Sequence, residues 1–359
     1  MNKMQAVLDE KGWYTEGGPD GDVVLSSRAR IVRNLSGYVF PYKLSENEVT
    51  QVQESVRQAF NKIKPEKELQ AVTLEDLSVI ERRKLIERHF VSQDYSLEKD
   101  RLVVFDTANL LSVVVNVRNH LQMAAFAGGF DLEKAYERVS SVEHLLEQYL
   151  DFSVSLDKGY LSADIKNCGT GLQASLLLHL PALEYSSMIE RAFKKVMDSG
   201  YDIKGYTGED EGSLGALYEL YNPVAIGQSE KELLQKLAYI ASQLVDYERR
   251  AREEMKRHRR VELKDIVYRA LGTLKYCRII EEKEAMQLLA KVRLGAALGW
   301  LDLSPVLINS LLILVGKAHI QQLISSGETA DTTREIQRVR ADFIHYALGF
   351  TADREVLDV

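Results

Sequence analysis

Apolar and polar positions change rhythm several times along the chain. Residues 1–22 are polar and glycine-rich ("EGGPDGD") and read as a loop or entry segment. In "VVLSSRARIVRNL" the apolar opening predicts a strand, with Arg28, Arg30 and Arg33 coming after it. Ser45 and Glu48 form an S-x-x-E capping box, and Val49, Val52, Val56 and Phe60 recur at helical spacing, so a helix is expected from Ser45. "RLVVFDTANLLSVVVNV" sets two β-branched runs about the polar turn "DTAN" and predicts a hairpin. The stretch "VVVNVRNHLQMAAF" (113–126) starts as a strand and passes through a polar loop with Arg118 at its tip. A helix is then expected from near His120.

Further along, "GGFDLEKAYERVSSVEHLLEQYL" has a second helical pattern. "GYLSADIKNCGTGLQASLLLHLPAL" reads as a strand, a glycine-containing loop and an apolar strand, and "YDIKGYTGEDEGSLGALYELYN" as a loop between strand candidates. There is no regular βαβα rhythm, so the fold class expected is α+β with a largely antiparallel sheet. From Ser229 the texture changes. Leu233, Leu237, Ile240, Leu244 and Tyr247 mark a long helix that runs into the charged tract "ERRAREEMKRHRR". Everything after Val261 has helical spacing. We therefore expect a first unit over 1–257 and an all-helical C-terminal unit over 258–359.

Composition narrows the function classes. The chain has 359 residues, 45% hydrophobic and 28% charged, and a net charge of -7. This is a globular rather than a disordered composition, and the sign argues against a nucleic-acid footprint. Two cysteines, Cys168 and Cys277, exclude a disulfide framework and fit a reducing compartment, so a cytoplasmic location is expected. The N-terminal residues lack an apolar signal region, and the longest apolar run, "VLINSLLILV", is too short to span a bilayer. Cys277 reads as a buried small hydrophobe. The tract "KRHRR" (256–260) reads as the solvated face of a helix, interleaved with Glu253 and Glu254, rather than as a nucleic-acid contact.

Five segments taken in order resemble the phosphagen (ATP:guanidino) kinase family, and within it the bacterial protein-arginine kinase branch. They are "SSRARIVRN" (26–34), "RHFVS" (88–92), "NVRNHLQ" (116–122), "NCGTGLQAS" (167–175) and "KGYTGE" (204–209). "VYRALGTLKYCRIIEEKEAMQLLAKVRLGAALG" (267–299) is similar to the helical C-terminal part of the bacterial branch. The resemblance implies an antiparallel-sheet catalytic domain flanked by helices. It implies transfer of the ATP γ-phosphoryl group to arginine side chains of client proteins, with ATP and Mg as cofactors. It also implies a homodimer, and a kinase activator or Clp protease unfoldase as partners in bacterial stress proteolysis.

Phosphoryl transfer needs positioning and neutralisation of charge. The triphosphate asks for arginine forks, and the cationic acceptor guanidinium asks for carboxylates that align it and take its proton. By resemblance, Arg28, Arg30 and Arg33 match nucleotide-phosphate arginines and His89 matches a nucleoside contact. Read without the family, the three arginines better suit the solvated end of a strand.

The departures lie at the working positions. The family loop N-E-E-D-H-L-R here reads N-V-R-N-H-L-Q, Asn116 to Gln122. Arg118 stands at the catalytic carboxylate, Asn119 at the following aspartate and Gln122 at a phosphate arginine. Asp164 stands at the reactive cysteine, with Cys168 four residues out of register. Gln173 and Lys204 stand at the second and third phosphate arginines. The substrate-facing Glu209 is retained, beside Asp210 and Glu211. A carboxylate about 4 Å from a guanidinium contributes roughly 4 kcal/mol at an effective dielectric of 20, and arginine in its place turns attraction into repulsion.

The expectation is a protein with a degraded catalytic set, acting as a pseudokinase or adaptor. The alternatives are an active kinase with a rearranged site, using Asp164, Lys166 and Lys204, and a nucleotide sensor without transfer. In "TREIQRVRADF", Arg334 and Arg338 lie four apart on one helical face beside Glu335. The resemblance implies a phosphoarginine-binding site at Arg334 and Glu335, and an exposed helix face is the alternative.

Overall fold

The computed structural model describes residues 2–63, 68–92, 101–206, 213–324 and 333–350. In chain order the elements are α1 (Lys3–Leu8), β1 (Val24–Arg33), α2 (Glu46–Ile63), β2 (Leu69–Thr73), α3 (Val79–Glu87), β3 (Leu102–Asp106), β4 (Leu111–Val115) and β5 (Leu121–Gly128). Next come α4 (Leu132–Leu146), β6 (Val154–Ser155), β7 (Gly159–Tyr160), β8 (Leu172–His179), α5 (Pro181–Tyr185), α6 (Ile189–Asp198), β9 (Asp202–Gly205) and β10 (Leu217–Tyr221). The remainder is helical: α7 (Glu230–His258), α8 (Arg260–Tyr276), α9 (Glu282–Ala297), α10 (Pro305–Leu314), α11 (Lys317–Gln321) and α12 (Thr333–Ala347).

Eight strands form one sheet in the order β2-β3-β4-β5-β1-β8-β10-β9, and every neighbouring pair is antiparallel. Side chains alternate across a strand. Ala29, Ile31, Met123, Ala125, Ala174 and Leu176 therefore share one face. There they meet Val52, Val56 and Phe60 of α2, Val139 and Val142 of α4, and Leu233 and Leu237 of α7. Val103, Val114, Phe126, Leu177 and Leu217 point the other way, into a second core. The N-terminal Trp13 and Tyr14 and the helical residues Leu289, Ile308 and Leu311 complete that core. Among the described residues no helix is long and apolar enough to cross a membrane.

Two expectations change. No helix starts near His120, because Leu121–Gly128 is the central strand β5. Its Leu, Met and Ala residues favour helices intrinsically. The segment is nevertheless flanked by β4 and β1 and is almost wholly buried, so sheet pairing decides. Nor do the arginines follow the first strand, since Arg28, Arg30 and Arg33 lie within β1.

α7 ends at His258, and Arg259 breaks the helix with non-helical φ and ψ. The helices beyond it fold back on the sheet. Arg293 of α9, fully buried, donates to the carbonyls of Gly21 and Asp22, to Asn309 and to Nδ1 of His179. One guanidinium thus ties the N-terminal segment, β8 and α10 together. Arg249 of α7 fixes the same segment through Asp20 and Asp22. Cys277 is only half-buried, at the margin of the second core.

Candidate functional site

The second face of the sheet carries a polar stripe across β5, β1, β8, β10 and β9. On β1, Ser26, Arg28 and Arg30 alternate with core residues. Arg28 lies opposite Phe126 and Ser175, and Arg30 opposite Ala124 and Gln173. Gln122 pairs with Val32 one step along. Glu219 of β10 pairs with Leu177 on one side and Lys204 on the other. The lattice brings Arg28, Arg30, Gln122, Gln173 and Lys204 onto one face, although they come from four strands.

The cations in this stripe are engaged by the protein itself. Arg28 donates to Glu219 at 2.7 Å, and Lys204 Nζ lies 3.5 Å from the other Glu219 oxygen and 5.0 Å from the Tyr221 ring centroid. Arg30 donates to Oε1 of Gln173. Burial by itself would raise the Glu219 carboxyl, but the Arg28 and Lys204 charges, with a Ser175 hydrogen bond, hold it down at about 2. The residue is an anion at any working pH.

Beside it, His89 sits in left-handed backbone (φ 61°) at the end of α3. Its Nε2 lies 2.5 Å from the Tyr206 hydroxyl. Burial, then the Arg28 charge, pushes His89 down to about 4, so the ring is neutral. Trp13 stacks on Phe126 (5.5 Å, 15°) and donates from its indole nitrogen to the Arg88 carbonyl. The cavity bounded by Trp13, Arg28, His89, Phe126, Tyr206 and Glu219 holds about 60 Å³. A few waters fill such a space, whereas ligand pockets run to roughly 300–1,000 Å³. Arg30, Gln122, Gln173 and Lys204 do not line this cavity.

Other sequence-expected residues lie elsewhere. Arg33 is 2% exposed and does not join the stripe. It pairs with Glu143 of α4, donates to the Val32 and Thr170 carbonyls, and stacks 3.4 Å from the Tyr160 ring centroid. It packs between α4 and the Tyr160 ring, away from the other two arginines. Arg118 is exposed at the tip of the β4–β5 connection.

Behind Arg118, Asn119 is buried, and its Oδ1 accepts from Asn34, Ser162 and the Ala163 amide. His120 accepts from the Leu35 amide, and burial pushes it to about 4. This network holds the Arg118 turn against the loop that carries Asp164. The Asp164 carboxylate caps a short 3-10 turn by accepting from the Lys166 amide at 3.0 Å. Cys168 is buried. Glu209, with Asp210 and Glu211, lies outside the described residues. Arg334, Glu335 and Arg338 sit together on α12, where Arg338 is held by Glu335 and by Asp342.

Sequence reasoning missed Glu219, Tyr206 and Trp13. The only local hint was "LYELY", in which a single charge interrupts an apolar strand.

Two solved structures share this fold. The duplicated taurocyamine kinase from Schistosoma mansoni aligns with a TM-score of 0.59 at 21% identity, over 65% of this chain and 34% of that one. A lombricine kinase aligns at 0.57 and 21%, over 67% and 70%. Residues 51–251 match the family described as "ATP:guanido phosphotransferase, C-terminal catalytic domain", and residues 260–356 match "Protein-arginine kinase McsB C-terminal domain". The protein-arginine kinase of Halothermothrix orenii is 33% identical over 91% of this chain and 93% of its own length. That of Bacillus subtilis is 32% identical over 91% and 90%. This chain belongs to the protein-arginine kinase family, whose reaction passes phosphoryl from ATP to arginine.

Proposed function

We propose that this family member does not transfer phosphoryl groups and acts as an adaptor that binds protein clients through its C-terminal unit, residues 258–359. The observation that carries the reading is the polar stripe itself. Two of its three family phosphate arginines are the neutral Gln122 and Gln173, and Lys204 is committed to Glu219. Removing one transition-state arginine costs on the order of 10³–10⁵ in rate in related phosphoryl transfer. Arg118, exposed in place of the catalytic carboxylate, offers no base. The rearranged alternative asks Asp164 to supply one, yet that carboxylate is engaged in capping its own turn.

Client binding is assigned to α12. Phosphoarginine presents a phosphoryl anion attached to a planar guanidinium group. Arg334 suits the first and Glu335 the second, beside Arg338, which Glu335 and Asp342 hold in place. Both readings are open to direct test. With Mg-ATP and an unfolded protein substrate, no phosphoarginine is expected above background. Stoichiometric transfer that is abolished by Glu209→Gln would overturn the proposal. In a titration with free phosphoarginine, Arg334→Ala is expected to weaken binding at least tenfold, and unchanged affinity would remove the α12 assignment.

A further inference from the structure

We infer that Glu219 determines what the polar stripe accepts: its carboxylate is a resident anion in the place where a phosphate group would otherwise lie. This rests on the reading that the stripe no longer serves transfer, and it names the residue that enforces the change.

The geometry supplies the argument. An anion subsite needs two or more cationic donors converging on one point with room between them. Arg28 and Lys204 converge in that way, from different strands, and the point of convergence is the pair of Glu219 oxygens at 2.7 and 3.5 Å. Ser175, opposite Arg28 on β8, adds a hydroxyl to the same carboxylate. The carboxylate is thus coordinated much as a phosphate oxygen edge would be, by one guanidinium nitrogen, one ammonium and one hydroxyl. Its side chain is 20% exposed, so solvent does little to screen it from an incoming anion.

A polyphosphate approaching the stripe meets a fixed negative charge and two cations already turned toward it. Gln173 plays a neutral version of the same part toward Arg30, its amide oxygen accepting from one guanidinium nitrogen. The difference is decisive. An amide oxygen yields to a phosphate without like-charge repulsion, whereas Glu219 does not. The stripe therefore retains a latent anion subsite, and Glu219 is its specificity-determining residue.

The experiment uses the full chain and inorganic pyrophosphate as the probe, titrated by calorimetry at low salt. Glu219→Ala removes both the charge and the bulk. It is expected to bind pyrophosphate at least tenfold more tightly than the wild type, with affinity falling as salt rises. The gain is expected to vanish in the double variant Arg28→Ala, Glu219→Ala. If Glu219→Ala does not fold, Glu219→Gln removes the charge alone and is expected to show the same direction of change with a smaller gain. Binding by wild type and variants within threefold of one another, or a gain that survives loss of Arg28, overturns the inference. A wild-type transfer assay reads the functional proposal separately. Absence of transfer together with no gain in the variants rejects only the role of Glu219, whereas transfer by the wild type rejects the proposal beneath it.

Discussion

Replacing Glu219 with Gln tests the ion-pair cluster through stability as well as through binding. In the folded chain Arg28 and Lys204 hold the carboxyl at about 2, while its ordinary value is 4.5. A folded value below the unfolded one means the native state keeps the carboxylate charged where the unfolded chain has begun to take up a proton. The resulting stabilisation is fully present above pH 4.5 and is lost as the pH falls toward 2. At neutral pH it amounts to roughly 3 kcal/mol, and ~1.5 kcal/mol of that is gone by about pH 3.5. Urea unfolding of wild type and Glu219→Gln at a series of pH values isolates the effect, because the other carboxylates cancel in the difference. The stability gap is expected to be widest at pH 7 and about 1.5 kcal/mol narrower near pH 3.5. A gap that stays constant across that range, or widens on acidification, would refute the assignment of Glu219 as the anion between two cations.

Three further outcomes follow from the same structure. Arg33→Leu leaves Glu143 buried without its partner and is expected to cost about 3–5 kcal/mol in denaturant unfolding, and a loss below about 1 kcal/mol would contradict the buried-pair assignment. Asn119→Ala orphans donors on Asn34, Ser162 and Ala163 and is expected to cost about 2–3 kcal/mol. Asn119→Asp keeps an acceptor there and is expected to stay within about 1 kcal/mol of wild type in the same assay. Glu87 accepts from the Ala318 and His319 amides at the start of α11, so Glu87→Ala is expected to cost about 1–2 kcal/mol and to speed hydrogen exchange at those two amides. Unchanged exchange there would show that the cap does not hold the helix.

Local signals carried much of the architecture. The capping box at Ser45 opens α2, the apolar spacing from Leu233 marks α7, and the turn "DTAN" closes the β3–β4 hairpin. In each case the information lies within a few residues. β5 was illegible because Ala, Leu and Met favour a helix until neighbouring strands claim their backbone groups. Arg33 was misplaced for a related reason. Its alternation puts it opposite the face of Arg28 and Arg30, and only the packing of α4 and Tyr160 around it shows what it does. The family positions Gln122, Gln173 and Lys204 were found by motif, and the strand register shows that those distant positions share one face. Glu219 lies in no motif. Its meaning comes from a pairing across β10 that places it between Arg28 and Lys204, nearly two hundred residues from the first of these.

The most direct test restores the charges that the family pattern carries and compares transfer side by side. One protein is the wild type. The other combines Val117→Glu, Arg118→Glu, Asn119→Asp, Gln122→Arg, Gln173→Arg and Lys204→Arg with Glu219→Gln, which removes the resident anion. Phosphoarginine formed on an unfolded substrate with Mg-ATP is then measured by mass spectrometry. The wild type is expected to give none above a no-enzyme control while the restored protein incorporates phosphoryl groups. Wild-type incorporation at a rate within tenfold of the restored protein would contradict the account.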